Sequence, residues 1–330
     1  MSTSDRKPRI TRRRIALALA GLVVALAALW LALTRGSVRS LPRSAWDVPP
    51  PSARSWREVF DRAPRVELDS LDTGAVHVAR RKMLAAEHPE TAAYREEPTP
   101  LRVYAHLIRH PTRGDFLVDS GLDASFASNA YGNIQAPTRW VLSLLYDAPY
   151  SQRPGEDVFA QLGRRGAHPR AVFFTHLHMD HTAGVPGMPA DTELVAGKGE
   201  VDDPVQIFGY GHFASTRRLR ELDFTDAPEM PPLGRSLDLF GDGSVWAVST
   251  PGHTRGHVSF VVVASSGPVL LVGDASHFRW AFEHGVGPSG TSGSGDRVAQ
   301  ESLDRLRDFA RAFPELTVFC GHEAPAPKAP

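Results

Sequence analysis

The chain has 330 residues, 42% of them hydrophobic, with 37 basic and 37 acidic side chains and one cysteine. That length can bury one large core or two small ones, and a formal net charge of zero leaves no global basic footprint, so no nucleic-acid partner is expected. The lone Cys320 excludes an intramolecular disulfide framework and a cysteine-based zinc site.

Taken in order, Arg6, Lys7, Arg9, Arg12, Arg13 and Arg14 precede an uncharged, apolar stretch from Ile15 to Leu33. As a helix this stretch would span about 28 Å, close to the ~30 Å hydrocarbon core of a bilayer. The expectation is a basic cytoplasmic flank over 1–14 and a transmembrane anchor over 15–33, with a cleaved signal peptide as the competitor. The flank would place the body of the protein on the non-cytoplasmic side, with the lipid bilayer as a partner through the N-terminal helix. Residues 34–64, with Pro49, Pro50 and Pro51 in a row, have the composition of an extended spacer. Trp46 and Trp56 either sit at the bilayer surface or pack on the domain expected over 65–330.

Within that domain, Ala75 to Val78 reads as a strand. Leu101, Val103, Ala105 and Leu107 alternate with Arg102, Tyr104, His106 and Ile108, which predicts a half-buried strand. Phe116, Leu117 and Val118 run into Asp119, Ser120 and Gly121. Between Ala124 and Tyr150, the spacing of Trp140, Leu144 and Leu145 predicts a core-facing helix, or alternatively an aromatic roof over a site. A short helix is expected over Asp157 to Leu162.

Ala171, Val172, Phe173 and Phe174 then read as a buried strand that delivers THLHMDHTAG, Thr175 to Gly184, to a surface loop. His176, His178, Asp180 and His181 fall within six positions. Imidazoles one residue apart in extended chain point the same way, so His176 and His178 can share a metal ion. Asp180 and His181, past a bend, are free to face a second. The plain alternative is a histidine-rich surface loop.

Gly187 to Gly199 reads as strand and turn. Arg217, Arg218 and Arg220 form a basic, helix-like run, either solvated or set to receive a carboxylate or phosphate. His212, nearby, has no assigned role. Strand-like runs follow over Ser244 to Ser249, His257 to Ala264 and Val269 to Val272, separated by Pro and Gly turns. Pro251 to His257 reads PGHTRGH; Val269 to Val272 ends in Gly273 and Asp274; Leu316 to Cys320 ends in Gly321 and His322. Gly285 to Gly295 reads as a mobile loop. Ser302, Leu303, Leu306, Phe309, Ala310 and Phe313 have amphipathic spacing, with Ser302 near the helix start.

In this order, HxHxDH, PGHTxGH, GD and GH, each after an apolar strand, resemble the motifs of the metallo-β-lactamase superfamily, over roughly Val66 to Ala324. Periodicity alone gives only an α/β or α+β class. The resemblance implies an αββα sandwich of two sheets covered by helices, with the site at one edge. It also implies two divalent metal ions, usually Zn2+: His176, His178 and His253 on one, Asp180, His181 and His322 on the other, and Asp274 bridging them. Asp119 and His257 become supports of the site, with a simple turn as the alternative for Asp119, and Asp180 becomes a proton relay.

The expected function is a membrane-anchored dinuclear zinc hydrolase, in which a metal-bridging hydroxide attacks an ester, lactone or thioester carbonyl of a small-molecule substrate. A phosphodiesterase or phospholipase-like enzyme, or a non-catalytic metal-binding protein of the same fold, are the alternatives. True zinc β-lactamases lack the bridging carboxylate, so Asp274 makes the chain resemble the glyoxalase II and N-acyl homoserine lactonase branch. Lactonases carry a tyrosine three residues after that aspartate, where this chain has His277. His277 either donates to a substrate oxygen or is a solvated loop residue. The sequence sets no oligomeric state.

Overall fold

The computed structural model describes residues 12–34, 37–145, 148–207, 210–289 and 295–325. Strands β1 (Arg43–Ala45), β2 (Glu67–Val76), β3 (Leu101–His110), β4 (Gly114–Val118), β5 (Tyr150–Ser151), β6 (Pro169–Phe173), β7 (Glu193–Gly197) and β8 (Leu219–Leu222) form an eight-stranded sheet in the order β1-β8-β7-β6-β4-β3-β2-β5. The other sheet has six strands, β9 (Glu229–Met230), β10 (Gly234–Asp238), β11 (Val245–Ser249), β12 (Val258–Ala264), β13 (Gly267–Gly273) and β14 (Thr317–Cys320), ordered β14-β13-β12-β11-β10-β9. The described helices are α1 (Arg12–Thr34), α2 (Trp56–Arg62), α3 (Pro89–Ala93), α4 (Ala136–Leu145), α5 (Val158–Arg164), α6 (Met179–Thr182), α7 (Arg279–His284) and α8 (Gly295–Ala312).

Strand periodicity explains the layering. Along β12, Val258, Phe260 and Val262 join a core with Phe116, Ala171 and Phe173 of the other sheet, while Val261 and Val263 turn outward to Leu303, Leu306 and Phe309 of α8. On β6 the division repeats: Ala171 and Phe173 face inward, and Val172 packs with Val158 and Leu162 of α5. Because successive side chains point to opposite faces, strands covered on both sides are largely apolar on both. Each such buried side chain contributes about 1.5–3 kcal/mol. The result is the mixed α/β sandwich of two sheets that the motif order implies.

The N-terminal expectations change most. Residues 12–34 form α1, but among the described residues no helix is long and apolar enough to cross a membrane. The helix opens on three arginines, Arg12, Arg13 and Arg14, whose charges are costly in a hydrocarbon layer. The transmembrane anchor over 15–33, the non-cytoplasmic placement that followed from it and the bilayer as partner are corrected accordingly. Arg6, Lys7 and Arg9 lie outside the described residues.

Residues 37–64, expected as a spacer, are joined to the body. Val38 is buried, and β1 pairs in parallel with β8 at the sheet edge. Trp46 stands edge-on to Phe173 at 5.3 Å. The Ser55 hydroxyl caps α2 by accepting the Glu58 N–H, a bond that offsets one unpaired donor of the helix start. Trp56 is 1% exposed, donates Nε1–H to the Met230 carbonyl at 3.0 Å, and packs at a steep angle against the rings of Trp246 and Phe309 at 5.3 and 5.0 Å.

Three local expectations also shift. Arg218 and Arg220 belong to no helix: Arg218 pairs with Glu193 ahead of β8, and Arg220, within β8, lies over the Trp46 ring. The helix α4 forms, but Trp140 and Leu144 are exposed rather than core-facing. The helix α8 starts seven residues before Ser302, whose hydroxyl instead donates to the Pro251 carbonyl at 2.7 Å. Of the loop expected over Gly285 to Gly295, residues 290–294 lie outside the described residues.

Candidate metal centre

The site is built at the C-terminal ends of β4, β6 and β13, with the loops after β11 and β14 closing on it. After β6 the chain runs through Thr175 and His176 to His178, then turns into the single-turn α6, which carries Asp180 and His181. Asp119, directly after β4, organises this turn. It is the one described non-glycine residue with positive φ, 59°. Its Oδ1 accepts the Thr175 N–H at 2.8 Å, and its Oδ2 accepts the Thr175 hydroxyl and the His181 Nδ1–H, both at 2.8 Å. Ser120 adds its N–H and Oγ–H to the His181 carbonyl, each at 2.9 Å.

Two groups of donor atoms are thereby assembled. His176, His178, His253 and Asp274 form one, and Asp180, His181 and His322 the other, with the donor atoms in each group within 4.8 Å of one another. These are the seven residues that the motifs had assigned as ligands. The Asp274 Oδ2 atom lies among them: His322 Nε2 is at 3.3 Å, His253 Nε2 at 3.4 Å, His176 Nε2 at 3.6 Å and His181 Nε2 at 3.7 Å. His322 Nε2 is also 3.6 Å from Asp180 Oδ2. The glycines of the GD and GH motifs make room for this. Gly273 takes φ 54°, and a Cβ on Gly321 would come within 2.1 Å of Asp274 Oδ1, so only glycine fits.

The donor set suits divalent ions. Among the described residues, the buried His176 Nε2, His181 Nε2, His253 Nδ1 and Asp274 Oδ1 atoms have no hydrogen-bond partner. Unpaired buried polar atoms are costly, and four within one cluster mark a place for a cation. Burial holds the imidazoles of His176 and His253 well below the ordinary histidine value and lowers His178. For Asp274 burial favours the neutral acid, yet His322, His277 and His181 outweigh it and keep the carboxyl well below its usual range. Neutral imidazoles and an ionised carboxylate are the forms that bind metal. His181 behaves differently: burial opposes its charge, but Asp119, Asp180 and Asp274 raise it to about 10.

The supporting bonds fix tautomers. His322 donates Nδ1–H to the Arg102 carbonyl at 2.7 Å, and His181 donates its Nδ1–H to Asp119, so both present Nε2 to the cluster. His257 is engaged at both nitrogens, with the Thr250 hydroxyl at 2.9 Å and, as acceptor, the Asp274 N–H at 3.1 Å. It supports the site and has no free donor atom. His277 is 4% exposed, with Nε2 3.4 Å from Asp274 Oδ2 and its ring stacked on His322. Burial pushes it down to about 4. It is no solvated loop residue. His212 is buried beside α6, its Nδ1 2.8 Å from the Thr182 hydroxyl.

Sequence reasoning missed Thr175, Ser120 and Thr250, small hydroxyls with no pattern of their own. Only the strict position of Thr175 before the HxHxDH run marks it.

Comparison with known proteins follows the same lines. The sequence profile described as Metallo-beta-lactamase superfamily matches residues 98–322. Among curated proteins, the N-acyl homoserine lactonase AttM of Agrobacterium fabrum is 28% identical over 229 residues, covering 67% of this chain and 81% of that one. Among solved structures, an N-acyl homoserine lactone hydrolase with the product N-hexanoyl-L-homoserine bound at its catalytic metal centre aligns with a TM-score of 0.58 at 22% identity, over 78% of this chain and 94% of that one. AidC, a dizinc quorum-quenching lactonase, aligns with a TM-score of 0.51 at 15% identity, over 79% and 88%.

Proposed function

Because the chain belongs to the metallo-β-lactamase superfamily and is a metal-dependent hydrolase, we propose that it uses two zinc ions to hydrolyse a small-molecule acyl ester, with a lactone as the leading substrate class. The observation that carries this reading is the set of seven donors, Asp274 among them and all but His178 buried, with four orphaned polar atoms. That AttM, 28% identical, is named as a lactonase supports the choice of lactones over thioesters.

In this reading His176, His178, His253 and Asp274 would hold one ion and Asp180, His181 and His322 the other, with Asp274 Oδ2 also 3.7 Å from His181 Nε2 and 3.3 Å from His322 Nε2. Such ions supply Lewis acidity toward a carbonyl oxygen and lower the pKa of water to about 7. The chain's own groups do the rest. Hydrolysis joins a water oxygen to the carbonyl carbon and breaks the acyl C–O bond, and Asp180 carries the proton from that water to the departing oxygen, which leaves as an alcohol. His277, buried beside Asp274, donates a ring N–H to the substrate oxygen as negative charge builds on it. No serine or cysteine nucleophile is required, and Cys320, buried and raised above the ordinary thiol value by that burial, is inert.

The test is a substrate panel on zinc-loaded protein: N-acyl homoserine lactones, simple esters, thioesters, a β-lactam and a phosphodiester, followed by acid release. The reading expects lactones to give the highest kcat/KM. Preference for the phosphodiester by a factor of ten or more would replace it.

A further inference from the structure

Glu200 is a carboxylate with 0% exposure that belongs to neither group of metal donors. It lies where two ligand-bearing loops meet. Its Oε1 accepts the N–H of Leu177, the residue between His176 and His178, at 2.9 Å. Its Oε2 accepts the Thr254 hydroxyl at 2.6 Å and the Gly256 N–H at 3.1 Å, just past His253. The same segment makes two further bonds to these loops: Gln206 donates its amide to the Leu177 carbonyl at 3.0 Å, and Asp203 Oδ2 accepts the Arg255 N–H at 3.0 Å. The approach is close enough that a Cβ on Gly256 would come within 2.4 Å of the Glu200 nitrogen. From outside, Ser37 donates its hydroxyl to the Gln206 carbonyl at 2.5 Å and Arg39 its guanidinium to the Asp203 carbonyl at 2.7 Å.

We propose that Glu200 is a positioning residue of the metal centre: its carboxylate ties the loop of His176 and His178 to the loop of His253 and so fixes three imidazoles without touching an ion. The proposal rests on the reading that these residues hold metal. Its chemistry is specific, because all three partners are donors and both carboxylate oxygens are used. A carboxylate accepts at both oxygens, whereas an amide of the same shape turns an NH2 toward one of the donors. The partners come from loops far apart in sequence, so losing the tie loosens one imidazole pair relative to the third.

The experiment compares full-length wild type, Glu200→Gln, Thr254→Val and Asp238→Asn, each loaded with zinc, for zinc release to a chromogenic chelator, and with cobalt(II) for the ligand-field spectrum. Asp238 is the control: it is 1% exposed and accepts from Ser52, Gly241 and Gly243 on the turn after β10, away from the metal donors. Wild type is expected to hold two equivalents. Glu200→Gln should release one of them about 10- to 100-fold more readily, the usual scale for a lost outer partner of a ligand, with the other unchanged and the cobalt spectrum altered. Thr254→Val, which removes one donor and keeps the carboxylate, should shift release in the same direction by less, and it carries the test if Glu200→Gln does not fold. Asp238→Asn should lower Tm and release zinc as wild type does. Wild-type release and spectra in both Glu200→Gln and Thr254→Val overturn the positioning role and leave the two-metal reading intact; a wild type that takes up no zinc overturns both.

Discussion

The Asp119 carboxylate holds His181 by its Nδ1–H at 2.8 Å, and the same oxygen takes the Thr175 hydroxyl. One side chain, standing at φ 59° just after β4, thus sets the tautomer of one donor and the path of the loop that carries three others. Asp119→Ala is expected to weaken metal binding by about 10- to 100-fold. Asp119→Asn, which tolerates the same backbone conformation, should lose less. Competition with a zinc chelator measures both, and wild-type affinity in the alanine variant would remove Asp119 from the account.

Asp274 stands closer to more imidazoles than any other described carboxylate, with five histidine nitrogens between 3.3 and 3.7 Å of its Oδ2. Asp274→Ala should therefore lose metal and turnover together. Elemental analysis beside the lactone assay checks this. Full zinc with full turnover would show the assignment of the donors to be wrong.

His277→Ala is expected to lower kcat by about 100-fold or more, the worth of one aligned donor to a developing oxyanion at roughly 2.7–4 kcal/mol. Its zinc content should stay at the wild-type level, because His277 lies outside the seven donors. His277→Tyr, which puts a hydroxyl on the same residue, should retain part of the activity. Steady-state kinetics with zinc determination separate these outcomes from a packing role, for which Tm alone would fall.

The catalytic motifs were legible because each places its donors within a few residues of an apolar strand, so local spacing carried the information. The supporting role of His257, which stands directly before β12, was readable only through the resemblance. The bonds of Glu200 were not: its partners Leu177 and Thr254 lie 23 and 54 residues away, and no periodicity links them. Residues 37–64 misled for a related reason. Their proline content reads as extended chain, while β1 is an exposed three-residue edge strand that acquires its structure from β8, and Trp56 from Trp246 and Phe309. The apolar stretch from Ile15 to Leu33 gave a helix, as its composition requires, but composition did not decide what the helix does.

The N-terminal segment yields its own expectation. Removing residues 1–36 should leave the domain folded, whereas Trp56→Ala should cost about 3–5 kcal/mol, the range for truncating a buried aromatic, with loss of the Met230 hydrogen bond as well. Urea denaturation of the zinc-loaded protein measures the difference. A loss below about 1 kcal/mol would mean that residues 37–64 are not part of the folded unit.

The most direct test of the proposed two-metal function is a titration of metal-free protein with zinc while the opening of an N-acyl homoserine lactone is followed. The account predicts no turnover before metal is added, and a rise that levels off at about two equivalents per chain. Turnover that is complete without added metal and insensitive to chelator would contradict it.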